Sequence, residues 1–125
     1  DQVAASAALL DASAISGRAA YADLAEELMR SALRRLWQPE RGAFLDRVRS
    51  AAGAGDIGWL GLPFESLTLN CDAASVLAQL ARRTGDASLR ARALDILAHF
   101  APRWPAAGLD GACYALAVTD VLDEA

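Results

Sequence analysis

The chain has no lysine: all 12 of its basic residues are arginines, set against 16 carboxylates for a net charge of −4. The arginines alternate with acids instead of gathering into a stripe, which points away from nucleic acid as a partner. Histidine occurs once, at His99, so no pair of imidazoles is present to found a metal centre. Cys71 and Cys113 are the only cysteines. They do not form a CxxC pair and are too few for a disulfide framework, which suits a reducing, cytoplasmic setting. No apolar run reaches the roughly 18 residues that a membrane span requires. The opening Asp1-Gln2-Val3-Ala4 lacks a basic segment, a cleavage pattern and an initiator methionine, and the chain is expected to begin inside a longer one.

Alanine is what the chain has instead, 30 of 125 residues. It is the best helix former and adds little volume, so the composition predicts an all-α fold with closely packed helices. The hydrophobic fraction of 54% exceeds what five short helices can hide. Some faces are therefore expected to meet another chain, or a further part of this one.

The stretch from Leu69 to Phe100 organises the rest. Ala73, Val76, Leu77, Leu80 and Ala81 form one stripe at helical spacing, and Leu89, Ala93, Ile96, Leu97 and Phe100 form the next. Gly85 between them suits a left-handed helix end, and Asp86 suits the cap of the following helix. A shift of 68 positions lays the beginning of the chain on this hairpin: Ala5 on Ala73, Leu9 on Leu77, Gly17 on Gly85, Tyr21 on Leu89, Ala25 on Ala93 and Leu28 on Ile96. One unit used twice is the mark of a solenoid or closed toroid.

Helices are expected over about 3–15 and 20–37, then in the two halves of the second hairpin, with a fifth after Pro105, placed at its first position. The first, third and fifth are apolar nearly all round. The second and fourth carry the charge, as in the Glu26–Arg30 pair and Arg90, Arg92 and Asp95. The odd-numbered helices therefore read as inner and the even-numbered as outer, the alternation of an α/α toroid and not of an up-down bundle. The fold class predicted is a partial α/α toroid, about two helical hairpins plus a terminal helix, in one domain spanning 1–125. A short β-hairpin is expected in the connection 38–69: a strand in Gly42–Val48, a flexible turn over 50–56, and a return strand in 57–62. So long a connection is commonly functional.

In order, the alanine-rich hairpin ending in Gly17 and Tyr21, Leu36-Trp37, the Gly42-Ala43-Phe44-Leu45-Asp46 segment and a Pro63 loop are followed by Asn70, Ala73-Ala74, Leu77, Leu80-Ala81, Thr84-Gly85-Asp86, Arg90, Ala93 and Phe100-Ala101-Pro102. This series resembles the C-terminal end of the spermatogenesis-associated thioredoxin-domain proteins and their bacterial YyaL-type relatives. That resemblance implies a thioredoxin-like domain upstream and a six-hairpin toroid similar to those of N-acylglucosamine 2-epimerases and several glycosidases. This chain would be the structural C-terminal portion of such a ring, and a carbohydrate-like ligand would be met only by the ring when complete. Where the family has a Pro-Ser-Gly-Asn-like start to the third helix, Leu67-Thr68-Leu69-Asn70 keeps only the asparagine.

Loops at the mouth of such a ring present carboxylates and aromatics. The candidate ligand-binding residues are Asp46, Glu65 and Asp72, with Trp59 and Phe64 as a stacking wall and Asn70 at a mouth-facing helix start. Each has a plainer reading: Asp46 as a turn residue, Glu65 as solvated, Asp72 as a first-turn acid on the helix dipole, and Asn70 as a helix cap. No spacing among the carboxylates establishes the pair that glycoside hydrolysis needs, so no catalytic residue, metal or cofactor is assigned. His99 is placed to meet the end of the fourth helix. Cys71, near a helix start, is either an activated thiol or a small buried residue. The alternative function is a non-catalytic helical module that self-associates or binds a protein partner. The partners expected are thus the remainder of a larger chain or a second copy, with a sugar-like small molecule for the complete ring, and neither nucleic acid nor membrane.

Overall fold

The structure is a computed structural model, which describes residues 2–48 and 64–123. The fold is all-α: two helical hairpins, a terminal helix and a two-stranded ribbon. Helix α1 (Gln2–Ser16) turns at Gly17 into α2 (Ala19–Leu36), and α3 (Leu67–Thr84) turns at Gly85 into α4 (Ala87–Phe100). Helix α5 (Gly111–Leu122) ends the described chain. The return strand expected in 57–62 lies outside the described residues.

The turns form as their residues dictate. Gly17 and Gly85 both adopt the left-handed conformation, at φ 69° and 73°, and each N–H donates to the carbonyl four residues back, Ser13 at 2.9 Å and Ala81 at 2.8 Å. Asp86 caps α4 by accepting from the Ser88 N–H at 2.9 Å. Helix α3 is capped by Ser66, whose hydroxyl accepts from the Leu69 N–H. It therefore starts earlier than its apolar stripe, and Asp72 falls in its second turn, not its first. Pro105 does not open α5. It lies in a 3-10 turn, Trp104–Ala106, followed by a second, Gly108–Asp110, so the chain spends two tight turns before the last helix begins.

The ribbon pairs β1 (Trp37–Gln38) with β2 (Ala43–Phe44), Trp37 opposite Phe44. It is shorter than the strand expected in Gly42–Val48, and β1 continues directly from α2. The Trp37 and Phe44 rings meet edge to face, 5.1 Å between centroids, and Arg92 of α4 lies over the indole. Gly42 closes the turn at φ 67°, and a Cβ there would come within 3.1 Å of the Asp95 Cβ. The ribbon thus rests on α4 as closely as a glycine permits.

Helix α3 packs on α1, α4 and α5, and α2 packs on α1. Odd-numbered helices thus neighbour one another, each of the first two backed by its hairpin partner. Burial, however, is concentrated in one helix. Nine of the 18 residues of α3 are buried, against three of 15 in α1 and four of 12 in α5, fractions matched by the four of 18 in α2 and five of 14 in α4. The expectation that all odd-numbered helices are more hidden than the even-numbered ones holds for α3 alone. The reason is packing: among the described residues α3 packs on three helices, and each of the others on one or two. Around it, Leu77, Leu80, Ile96 and Phe44 are fully buried, and Ala25, Ala32, Ala73, Ala74 and Ala93 have no exposed surface. These small side chains are what let helices approach so closely. No described helix is long and apolar enough to cross a membrane.

Candidate functional site

Four of the six predicted ligand residues, Asp46, Phe64, Glu65 and Asn70, come together where the end of β2 meets the start of α3. Asn70 occupies the centre. Its carbonyl oxygen accepts from the Phe44 N–H at 2.7 Å, and its amide nitrogen donates to the Phe44 carbonyl at 3.0 Å and to the Ser66 carbonyl at 2.8 Å. The side chain thus treats β2 as a neighbouring strand would, satisfying both backbone groups of Phe44 that face away from β1. It is completely buried. Ser66, not Asn70, caps the helix, and the buried Asn70 amide spends both its N–H groups and its carbonyl oxygen on the backbone. A buried asparagine bonded to the backbone in this way is a structural clamp, worth most through what its loss would leave unsatisfied.

Asp46 performs a related task one step along. Its N–H donates to the Phe64 carbonyl at 2.9 Å while its carboxylate accepts from the Phe64 N–H at 2.8 Å. The two residues bring the flanks of the long connection together in a reciprocal pair. Burial works against the charged Asp46 carboxylate, but the Arg47 guanidinium and the Phe64 N–H together hold its pKa below the usual value. Asp46 is more than a turn residue: it closes the base of the connection. The Phe64 ring is left 65% exposed, and its proposed stacking partner Trp59 lies outside the described residues.

Glu65 is not solvated. Its side chain is 8% exposed and is surrounded by two guanidinium groups and an imidazole: Arg41, His99 at 2.9 Å and Arg103 at 3.6 Å. Desolvation pushes its pKa up, yet the hydrogen bonds and charge of Arg41 and His99 prevail, and the net shift is downward. The carboxylate therefore ties the turn of the ribbon, the last turn of α4 and the segment after α4 to the start of α3. His99 faces this carboxylate and packs edge-on against Phe100. Arg41, His99 and Arg103 were not legible as site residues. They stand 24, 34 and 38 positions from Glu65, and no spacing rule links them.

Asp72 stands apart from this cluster. It lines a hollow of about 250 Å³ between α1, α3 and α5, together with Asp11, Ser75, Gln79 and Asp120. Desolvation raises its pKa. A general acid needs a raised pKa and a free proton. Asp46 and Glu65 have neither, since both are ionised and bound to protein, so the upward-shifted carboxyl and the downward-shifted ones belong to different places. Among the described residues no group of three histidines, cysteines or carboxylates is placed to hold a metal ion.

Of the two readings of Cys71, the small buried residue is the one that agrees with its 1% exposure. Burial, helped by the neighbouring Cys113, pushes its thiol up to about 12, the opposite of activation at a helix start.

What the clustered residues do chemically is hold the ribbon, α3 and α4 in one arrangement through saturated polar contacts. In comparison with known proteins, the chain matches no family model, no curated protein and no solved structure.

Proposed function

We propose that this chain is a structural portion of an α/α ring in a larger thioredoxin-domain protein, with α1, α3 and α5 contributing to its inner layer. A carbohydrate-like ligand would then be met only by the completed ring, in a cytoplasmic setting. The observation that carries this reading is the uncovered apolar face of α5. Leu116 is 67% and Leu122 55% exposed, Ala112 and Ala115 beside Leu116 are exposed as well, and Leu109 in the turn that leads into α5 is 95% exposed. The broad exposure of Ala4, Ala5, Ala8 and Ile15 on α1 matches it at the other flank of α3. Faces of this kind mark surfaces that another element covers. In a ring, further hairpins cover both. The polar cluster at the start of α3 fits a supporting role, since its side chains are spent on internal contacts.

The second reading is a helical interaction module whose α5 stripe is covered by another copy. Sedimentation velocity on the 125-residue chain from low to high micromolar concentration separates the two. The ring reading expects a monomer throughout. A reversible dimer that Leu116→Glu abolishes would overturn that reading and establish the module. Turnover of a sugar by the isolated chain at an enzyme-like rate would also overturn it.

A further inference from the structure

Helix α5 is held to the core by Tyr114, Ala117 and Val121, and by the Tyr114 hydroxyl, which donates to the Leu97 carbonyl at 2.8 Å. Beside Tyr114, at the interface with α3, the two cysteines of the chain meet. Cys71 is 1% exposed in the core. Cys113 is half-buried, packs against the same core from α5, shares a hollow with Asp72, Ser75 and Val76 of α3, and lies close enough for its side chain to act on the Cys71 thiol. Both thiols are free. We infer that Cys71 and Cys113 form a modification site, an oxidisable pair that a hydroperoxide converts into a disulfide fastening α5 to α3.

The asymmetry of the pair sets the order of steps. Cys113 lines the open hollow between α1, α3 and α5, so a small peroxide reaches it, whereas Cys71 is sealed from solvent. The Cys113 thiol also donates to the Asp110 carbonyl at 2.6 Å, which holds its sulfur at the beginning of α5. In the first step the Cys113 sulfur attacks one peroxide oxygen. The O–O bond breaks, the departing oxygen leaves as water with the thiol proton, and Cys113 becomes a sulfenic acid. In the second step the Cys71 sulfur attacks the Cys113 sulfur. The S–O bond breaks, and hydroxide leaves as water with the Cys71 proton. Two thiols and one hydrogen peroxide thus give one disulfide and two waters. Because peroxide reaches Cys113 and not the sealed Cys71, Cys71 serves as the resolving thiol and not as the first nucleophile. A small dithiol in solution reverses the modification by exchange and is itself oxidised.

The test is treatment of the purified chain with hydrogen peroxide, followed by alkylation, intact mass and tryptic mapping. Because the chain has no lysine, trypsin cuts only after arginine and separates the cysteines into peptides 50–82 and 104–125. The expected result is a monomer lighter by two hydrogens, with these two peptides joined and released by dithiothreitol. Its thermal midpoint should stand roughly 5 °C or more above that of the reduced chain, because the link restricts the unfolded state. Cys71→Ala, checked for folding by circular dichroism, should instead trap Cys113 as a sulfenic acid that a dimedone probe labels. If the oxidised wild-type chain carries sulfinic acid on Cys113 with Cys71 still alkylatable after unfolding, or dimers linked through Cys113, the inference is overturned.

Discussion

The two helical hairpins share a plan and differ in their surroundings. Gly17 and Gly85 end the leading helices in the same left-handed conformation, and Ala25 and Ala93, also 68 positions apart, are both completely buried. Yet Leu9 is half-buried where Leu77 is fully buried, Ala5 is exposed where Ala73 is not, and Tyr21 and Leu28 are half-buried where Leu89 and Ile96 are buried. The second hairpin has α1 and α5 packed on its leading helix, whereas the leading helix of the first packs mainly on its own partner and on α3 among the described residues. An apolar helix is thus a requirement for burial and not its cause. Neighbours decide, and α1 is a core helix by composition that lies at the edge of the described fold.

The largest expected effect tests this contrast directly. Leu77→Ala should cost about 2–5 kcal/mol, the range for deleting a fully buried leucine whose cavity relaxes only in part. Leu9→Ala, at the matching position, should cost roughly 1 kcal/mol, because water already reaches part of the side chain. Urea unfolding at low protein concentration measures both. Equal losses would break the comparison. A Leu9→Ala loss that grows with protein concentration would show that another copy covers α1.

The next effect belongs to the clamp that the first hairpin lacks. Asn70→Ala should cost about 2–4 kcal/mol, since it leaves the Phe44 N–H and carbonyl buried without partners. Asn70→Asp should fare no better, because a carboxylate cannot donate to the Phe44 and Ser66 carbonyls. Gln2 is the counterpart by the 68-position shift and makes no such clamp, so Gln2→Ala should stay within about 0.5 kcal/mol. Thermal unfolding of the three variants checks the order, and rescue by Asn70→Asp would remove the clamp assignment.

These positions show what the sequence makes legible. Helix limits come within two residues for α1, α2 and α4 because glycine turns, an aspartate cap and amphipathic stripes are local signals. The start of α3 and of α5 are missed: Ser66 outcompetes Asn70 as cap, and Gly108 to Asp110 form a 3-10 turn that apolar spacing does not reveal. At the candidate site, Asp46, Phe64, Glu65 and Asn70 lie in one neighbourhood at the ends of the connection and the helix start, whereas Asp72, grouped with them by sequence, faces a different hollow. Their roles are not legible, because each role is set by a distant partner. Glu65 looks solvated until Arg41, His99 and Arg103 surround it, and Asn70 looks like a cap until the Phe44 backbone arrives. The same limit hides the contrast between α1 and α3, since packing against a third helix leaves no periodic trace.

The smallest effect should be the one that the hairpins share. At both Gly17 and Gly85 an added Cβ would meet nothing within 4 Å, so Gly17→Ala and Gly85→Ala face no steric conflict with neighbouring elements. Each should lose only the cost of holding an L-residue in the left-handed region, about 1 kcal/mol. The corresponding asparagine variants should lose less, since that side chain tolerates the conformation. Paired denaturation curves for the two alanine variants then isolate the turn from its surroundings. Matching losses would mean that the repeat reaches down to backbone conformation, and that everything separating the hairpins lies in what packs on them. A several-fold larger loss at Gly85 would mean that the second turn is itself held by its neighbours. The ion pairs beside it, Arg30 with Asp86 at 3.1 Å and Arg83 with Asp23, join the two hairpins there, and Asp23→Asn in the Gly85→Ala background would then reduce the excess.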